Sequence, residues 1–283
     1  MSINVGTLYV VATPIGNLED MSARAQRVLA AVDVVAAEDT RRTRQLLHHF
    51  GLSVPCIALH EHNELSVAPK LVERIQHGES VALVSDAGTP LLSDPGFNLV
   101  RAAAAAGVSI VPVPGASAML CALCVSGLPT DRFAFEGFLP AKAAARQRRV
   151  EELAGESATL VFFESPHRIA STLRDMVAIL GAERPAVLAR ELTKVHETVL
   201  RGSLGALERR VATDADQRRG EMVLLVGGAP AEEREMAEQD AVRVLDTLLR
   251  YLPTKHAVAA AAELTGLKKN ALYALALQRR PSE

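Results

Sequence analysis

Short apolar runs alternate with amphipathic segments over the first 127 residues. The apolar runs lie at 8–12, 32–36, 55–59, 81–84 and 108–113, and helical patterns at 22–31, 43–50, 65–76, 97–106 and from 118 follow them. Such runs are typical of strands buried on both faces. We therefore predict a five-stranded, mainly parallel sheet covered by helices.

The run SDAGTPLLSDPG, residues 85–96, follows the fourth predicted strand and is rich in turn-forming residues. The carboxyl ends of parallel strands share one edge of a sheet, and ligands bind there. We expect that edge to gather Pro14, Asp39, His60 and the turns at 86–90 and 114–118. Residues 85–96 are then the floor of a ligand site, although an ordinary βα loop has the same pattern.

The alternation changes after residue 127. Strands are predicted at 132–139, 158–163, 186–190, 196–202 and 221–227, with helices from 142, at 168–180 and at 204–210. The close third and fourth strands favour a mixed sheet. A polar linker is predicted at 228–235 and a helical tail at 237–280. The fold class is α/β, and three domains are expected: 1–127, 128–230 and the tail, 231–283.

Composition excludes several classes of protein. The chain has 283 residues, 49% of them hydrophobic and 23% charged, which is typical of a folded protein. No apolar run approaches the roughly 20 residues of a membrane span, and residues 1–6 lack a signal pattern, so we expect a cytoplasmic protein. Its net charge of −2 predicts that any contact with nucleic acid is local.

Common cofactor motifs are missing from the sequence. No GxGxxG follows the first strand and no GxxxxGK[ST] occurs, which disfavours NAD and ATP. His60 and His62 have no cluster of further ligands, and Cys121 with Cys124 falls on an apolar helix, so we expect no metal. With Cys56 they make three cysteines, too few for a disulfide framework.

Eight sequence blocks in order are similar to a known family: LYVVATPIGNLEDMS, AAEDTRRT, ALVSDAGTPLLSDPG, VPGASA, FEGFLP, VFFESPHRI, ARELTKVHE and GEMVLLVGG. They resemble the tetrapyrrole methylase superfamily and, within it, the ribose methyltransferases of small-subunit ribosomal RNA. The resemblance implies two α/β domains with S-adenosylmethionine in the cleft between them. It also implies a homodimer that methylates the ribose 2′-hydroxyl of a decoding-region cytidine in 16S rRNA.

Most of the predicted cofactor contacts are carried over by position from that family, and the others are turn residues beside them. The set is Pro14, Asp86, Gly88, Thr89, Leu92, Ser117, Ala118, Phe163, Ala189 and Met222. Small residues allow close approach of the main chain, and hydroxyl groups can bond to the cofactor. Two other functions stay open: C-methylation of a corrinoid or porphyrin, and a DNA-binding regulator that uses the helix-turn-helix of the tail.

The acceptor hydroxyl is a weak acid, so a base or a group that stabilises negative charge is expected near it. We predict that Asp39, Glu164 or Glu191 orients or deprotonates the hydroxyl. The phosphate is expected at Arg41, Arg168 or Lys194. Structural alternatives exist for each set: Asp39 or Thr40 as a helix cap, Glu191 with Lys194 as a solvated ion pair, and Arg168 as a surface charge.

Basic clusters supply candidate contacts to RNA despite the acidic total. They are Arg41, Arg42 and Arg44; Lys142, Arg146, Arg148 and Arg149; Arg218 and Arg219; Arg209 with Arg210 is expected to be a solvated face. The tail segments 254–264 and 268–277, joined by a turn at 265–267, resemble a helix-turn-helix flanked by Lys255, Lys268, Lys269, Arg279 and Arg280. This tail either binds RNA or packs on the catalytic domains.

Overall fold

Two five-stranded sheets and a helical tail form the described part of the chain, residues 4–267 and 269–278 of a computed structural model. The strands there are β1 (Thr7–Val11), β2 (Val34–Ala37), β3 (Cys56–Ala58), β4 (Val81–Val84), β5 (Ser109–Val113), β6 (Phe133–Phe138), β7 (Thr159–Glu164), β8 (Pro185–Arg190), β9 (Thr198–Ser203) and β10 (Met222–Val226). The α-helices are α1 (Ala23–Leu29), α2 (Thr40–His49), α3 (Glu64–Gln76), α4 (Phe97–Ala105), α5 (Ala118–Ser126), α6 (Ala143–Leu153), α7 (Ile169–Leu180), α8 (Leu204–Thr213), α9 (Ala231–Leu249), α10 (Thr254–Thr265) and α11 (Lys269–Gln278).

The first sheet is wholly parallel, with strand order β3-β2-β4-β1-β5. Every residue of β2 and β4 is buried, because separate apolar clusters cover the two faces of the sheet. In register, Leu8 of β1 lies between Val81 and Ile110. The predicted parallel sheet is confirmed.

The second sheet is mixed, as predicted, with strand order β6-β7-β10-β8-β9. The β6 and β7 strands are parallel, and the other neighbours are antiparallel. One face packs against α6, α7 and α8 through a cluster that includes Phe162, Leu173 and Leu207.

Helix α5 joins the two sheets. It follows β5 along the chain, but its Met119 and Leu123 share an apolar cluster with Val161, Val187 and Val223 of the second sheet. The cluster also contains Ile15, from the loop after β1. The two sheets are therefore held against each other by a continuous apolar interior beside the strand ends.

Two predicted boundaries are wrong. Helix α2 begins at Thr40 rather than residue 43, because the Asp39 side chain accepts a bond from the Arg41 amide and caps the helix. Helix α9 begins at Ala231, inside the predicted linker 228–235. Its first residues, AEERE, are strong helix formers, and Pro230 before them suits a helix start. Polarity alone therefore did not indicate a linker.

The tail has a core of its own. Ala241 and Leu245 of α9, Ala257 and Ala261 of α10 and Leu272 of α11 are buried in one cluster made entirely of tail residues. Gly266 turns the chain between α10 and α11 at φ 70°, as the helix-turn-helix pattern predicted. Lys268, Arg279 and Arg280 lie outside the described residues. Within the described residues, no helix is both long and apolar enough to cross a membrane.

Candidate active site

A cavity of about 320 Å³ lies between the two sheets at the carboxyl end of the first one. We call it the first cavity. Its first-sheet wall comes from the loop after β4 and the start of α5, and its second-sheet wall from the ends of β7 and β8 and the start of β10. Its lining residues are Ile15, Ala87, Gly88, Thr89, Leu92, Ser93, Asp94, Ser117, Ala118, Phe138, Phe163, Glu164, Ser165, Pro166, Ala189, Leu192, Gly220, Glu221, Met222 and Val223.

Residues 85–96 form the floor of the first cavity and are held by several bonds. The backbones of Thr13 and Gly88 exchange hydrogen bonds of 2.9 and 3.1 Å, and the Thr89 hydroxyl donates to the Ala116 carbonyl at 3.1 Å. Leu91 and Ser93 have φ of 73° and 68°, a region that non-glycine residues rarely adopt. Strain of this kind persists where the surrounding structure enforces it, often at ligand sites.

Glu64 anchors the far end of that floor. Its buried carboxylate accepts bonds from the amides of Gly96, Asn98 and Leu99 at 3.0, 2.6 and 3.3 Å. Gly96 directly precedes helix α4 and has no side chain to cap it. A carboxylate from α3 therefore caps α4 and positions the end of the 85–96 loop.

Eight of the ten predicted cofactor contacts line the first cavity: Gly88, Thr89, Leu92, Ser117, Ala118, Phe163, Ala189 and Met222. The structure thus brings together residues from both halves of the chain. The other two, Pro14 and Asp86, line a neighbouring cavity of about 270 Å³, which we call the second cavity. Its lining is Pro14, Ile15, Gly16, Leu18, Arg42, Thr43, Leu46, Ser85, Asp86, Ala87, Lys194 and Glu221.

The two cavities meet at Ile15, Ala87 and Glu221, which line both. Their linings differ in chemistry. Apolar and aromatic side chains dominate the first cavity, whereas the second is lined by two cations, Arg42 and Lys194, and two carboxylates, Asp86 and Glu221. A ligand in one cavity therefore lies next to a ligand in the other.

Lys194 is the centre of an ion cluster at the second cavity. Its ammonium lies 2.8 Å from Glu191 and 2.8 Å from Glu221, and the Glu221 amide donates to Glu191 at 2.9 Å. Burial opposes both charges, yet these bonds raise the pKa of Lys194 and lower the pKa of Glu191. The loop is strained, with φ of 51° at Glu191 and 67° at Thr193.

The Lys194 side chain also crosses to the first sheet. A Cβ atom on Gly16 would lie 2.5 Å from the Lys194 stem, so only glycine leaves room for it there. The chain therefore uses Gly16 to let a second-sheet lysine lie on the loop after β1.

The buried Glu164, at the edge of the first cavity, pairs with the half-buried Arg168. The Glu164 carboxylate accepts from the Thr172 hydroxyl at 2.6 Å and the Ser165 amide at 2.8 Å, and lies 3.3 Å from Arg168. Arg168 also donates to the Leu139 carbonyl. These contacts join β7, α7 and the end of β6, so the pair connects three elements.

Asp39 and Arg41 bond to each other, with an Nη2 to Oδ2 distance of 2.7 Å. The Arg41 guanidinium holds the pKa of Asp39 well below its usual range. The Asp39 amide donates to Asp86 at 3.0 Å, so the ends of β2 and β4 do meet, as predicted. Neither Asp39 nor Arg41 lines the two cavities, and the Arg41 side chain is 84% exposed.

Sequence reasoning did not single out Asp94 or Glu221 for the site. Burial and the nearby Glu38 carboxylate raise the pKa of Asp94 to about 6, and Asp94 lines the first cavity. Glu221 lies one residue before β10, where the apolar pattern has not yet begun. Asp94 belongs to the turn-rich run 85–96. Neither residue therefore differed in sequence from an ordinary polar residue beside a strand or helix.

One predicted basic contact is corrected. Arg146 is buried and bonds to Asp175 at 2.6 Å, so α6 uses it to hold α7 and does not present it to RNA. Lys142 and Arg148 of the same cluster are exposed. His60 and His62 have ring centres 6.0 Å apart, and no group of three or more possible ligands within residues 4–267 and 269–278 could hold a metal ion.

Comparison with known families agrees with this architecture. The family model described as tetrapyrrole (corrin/porphyrin) methylases matches residues 7–208. The chain belongs to this family. A second model, described as the RsmI C-terminal HTH domain, matches residues 235–280, which is the tail. The resemblance of the eight sequence blocks is confirmed.

Similar proteins extend over nearly the whole chain of this methylase. A Pseudomonas aeruginosa protein named ribosomal RNA small subunit methyltransferase I is 55% identical over 279 residues, covering 98% of this chain and 99% of the relative. Proteins of the same name from Haemophilus influenzae and Escherichia coli O157:H7 are each 51% identical, with 96% and 97% of this chain covered and 96% of each relative. The chain therefore groups with that branch of the family.

Solved structures show the same fold at low sequence identity. Diphthine synthase is similar with a TM-score of 0.59 and 18% identity over 81% of this chain and 99% of that one. The uroporphyrin-III-C-methyltransferase of Thermus thermophilus is similar with a TM-score of 0.55 and 22% identity over 78% and 94%. The predicted two-domain α/β fold is therefore confirmed.

Proposed function

We propose that this methylase transfers a methyl group from S-adenosylmethionine to the ribose 2′-hydroxyl of a decoding-region cytidine in 16S rRNA, and that it acts in the cytoplasm. The observation that carries the proposal is the 55% identity, over 98% of this chain and 99% of the relative, to a protein named ribosomal RNA small subunit methyltransferase I. The match of the tail to the RsmI C-terminal HTH domain supports the same substrate class.

The first cavity has the chemistry that S-adenosylmethionine needs. Its volume of about 320 Å³ is in the usual range for small-ligand sites. Phe138 and Phe163 offer rings to a nucleobase, Thr89 and Ser117 offer hydroxyls, and Asp94 offers a carboxylate to a cation. A protein of the same fold was solved as a complex with S-adenyl homocysteine, which supports the choice. When bound, S-adenosylmethionine supplies a methyl group on a positively charged sulfur.

Two of the six predicted catalytic residues, Glu191 and Lys194, are the ones we propose for the reaction. Lys194 borders the second cavity and its ammonium can stabilise negative charge that develops on the acceptor oxygen. Glu191 holds that ammonium in place. The bonds of the other four support structural roles: Asp39 caps α2 and pairs with Arg41, and Glu164 with Arg168 joins β7, α7 and the end of β6.

The tail is proposed to bind RNA rather than to cover the catalytic domains. Its alanine-rich helix α10 buries Ala257 and Ala261 within the tail's own core, and Lys255 and Lys269 are exposed. Exposed Lys and Arg side chains bind phosphate in a salt-dependent way. Removal of residues 236–283 should therefore weaken binding to the small subunit and reduce its salt dependence.

Nucleoside analysis of 16S rRNA tests the function directly. Cells that lack the protein should lose one 2′-O-methylcytidine, and the purified protein with S-adenosylmethionine should restore it on small subunits or on naked rRNA. An unchanged nucleoside profile would reject the acceptor. Methylation of a corrinoid or porphyrin in place of rRNA would assign the other activity of the fold. Light scattering tests the homodimer that the resemblance implies.

A further inference from the structure

The second cavity is a polar space that the cofactor proposal leaves without a ligand. Arg42 of α2 and Lys194 of the second sheet approach it from opposite sides, and the buried Thr43 and Ser85 side chains complete its walls. Arg42 pairs with Asp86 and Lys194 with Glu221 in the same lining, yet the Arg42 guanidinium keeps further N–H donors that can bind an anion. A nucleotide phosphate is the anion that an RNA substrate carries.

Its position relative to the first cavity restricts the ligand further. Ile15, Ala87 and Glu221 line both cavities, so a group held in the second cavity can reach one held in the first. A methyl donor and its acceptor must be adjacent and in line. The junction at these three residues provides that arrangement, and Glu221 is the residue there with a titratable side chain.

We propose that the second cavity receives the acceptor nucleotide, with its phosphate at Arg42 and its 2′-hydroxyl at the junction beside Glu221, where Glu221 accepts the hydroxyl proton. This inference rests on the proposed function and adds a substrate position and a catalytic residue to it. As the oxygen gains the methyl group, the departing sulfur keeps the electron pair of the broken bond, and the hydroxyl proton moves to the Glu221 carboxylate.

Glu221 is suited to that step by its surroundings. Its side chain is 73% exposed, so a substrate can reach it, and its Oε2 is fixed 2.8 Å from Lys194. Its backbone amide is held by Glu191 at 2.9 Å. The residue is therefore held at its backbone and at one carboxylate oxygen.

Arg42 is suited to phosphate because one contact uses little of its bonding capacity. Its Nη1 lies 3.2 Å from Asp86, and a guanidinium carries five N–H donors in a planar fork. The side chain is 70% exposed at the rim of the cavity. A phosphate can therefore bind the remaining donors without removing a buried partner.

Steady-state kinetics with small subunits and the full chain test the assignment. Arg42→Gln should raise KM for the subunit about tenfold, the loss of one charged contact, with kcat and the dissociation constant of S-adenosylmethionine unchanged. Arg27→Gln is the matched control, because Arg27 is exposed on α1 and lines neither cavity. It should behave like the unmodified protein.

Glu221→Gln should lower kcat by about 100-fold or more, with KM and cofactor binding little changed, because the amide cannot accept the proton. Glu221→Asp keeps an acceptor and should recover part of kcat, and Glu183→Gln, an exposed carboxylate of the same domain, should have no effect. Equal melting temperatures and equal cofactor affinity show that the variants are folded.

The outcomes separate this inference from the proposed function. If the unmodified protein does not methylate small subunits, the proposed function itself is wrong. Unmodified protein that is active, together with Arg42→Gln and Glu221→Gln variants that keep its kcat and KM, overturns the second-cavity assignment alone. Loss of kcat in Glu221→Asp equal to that in Glu221→Gln also overturns the role of Glu221 as proton acceptor.

Discussion

Two acid–base clusters of the second sheet have nearly the same sequence pattern but different surroundings. Glu164, the last residue of β7, lies four residues before Arg168. Glu191, the first residue after β8, lies three residues before Lys194. The two cations are equally exposed, at 26%, but the Glu164 side chain is 1% exposed and bonds to α7, whereas Glu191 is 19% exposed and its partner Lys194 borders the second cavity. The charge pattern is shared, so only the packing around each pair separates a structural pair from a candidate site.

The largest effect is expected from the buried cluster. Glu164→Ala leaves Arg168 and the Thr172 hydroxyl without their partner, so the free energy of unfolding should fall by ~3 to 5 kcal/mol. Chemical denaturation measures it. Glu183→Ala is the control, since Glu183 is exposed and should change stability little. A loss for Glu164→Ala as small as the control's would remove the contrast between the two clusters.

For the cluster at the second cavity, a substitution should lower activity more than stability. Glu191→Ala removes the bonds that hold Lys194 and the Glu221 amide, and hydrogen bonds to charged groups contribute ~1.5 to 3 kcal/mol each. If they act in the transition state, kcat should fall about 10- to 100-fold, while the melting temperature changes less than for Glu164→Ala. Methylation of small subunits at saturating cofactor measures it, and full activity would make this cluster structural too.

Asp94 differs from Glu164 and Glu191 in its neighbours. The carboxylates of Glu38 and Asp86 lie near Asp94, whereas Glu164 and Glu191 each contact a cation. The pKa of Asp94 is raised to about 6, so the stability that its protonated form contributes is present below pH 4 and lost as pH rises through about 6. Asp94→Asn should therefore raise the free energy of unfolding by about 1 kcal/mol at pH 8, after allowance for screening by solvent. The difference from the unmodified protein should vanish below pH 4. Denaturation at both pH values measures it, and a difference that does not depend on pH contradicts the shift.

The smallest effect is expected at Arg41. Its ion pair with Asp39 is exposed, and the Asp39 cap of α2 uses the Arg41 amide, which a side-chain substitution keeps. Arg41→Ala should leave the unfolding midpoint unchanged within error. Methylation should also stay within about twofold, since Arg41 lines neither cavity. A large loss of activity would return Arg41 to the set of phosphate contacts.

Local patterns were sufficient to predict the sheets. The apolar run 81–84 is the observed β4, and the turns after β1, β4 and β5 meet at one edge, as the parallel arrangement requires. Contacts between distant segments were not predictable. The bond from the Gly96 amide to the Glu64 carboxylate joins residues 32 apart, and the Lys194 stem on Gly16 joins the two sheets.

The candidate site was predicted unevenly for the same reason. Eight of its lining residues were named in advance, most of them by position from the family resemblance and Gly88 as a turn residue beside them. Glu221 and Asp94 gain their importance from which cavity they face, and a cavity exists only after both sheets have packed. The start of α2 was missed, although Asp39 was named as a possible cap, because the polar residues 40–42 carry no apolar periodicity.

Helix α5 gives the connection after it an unusual property. The chain passes from one sheet to the next through residues 127–132, and residues 129–132 of this connection are exposed to a protease. Met119 and Leu123, however, belong to the interior of the second sheet. A nick in this segment would divide the polypeptide but not the hydrophobic interior, so the two fragments should migrate as one particle until a denaturant is added.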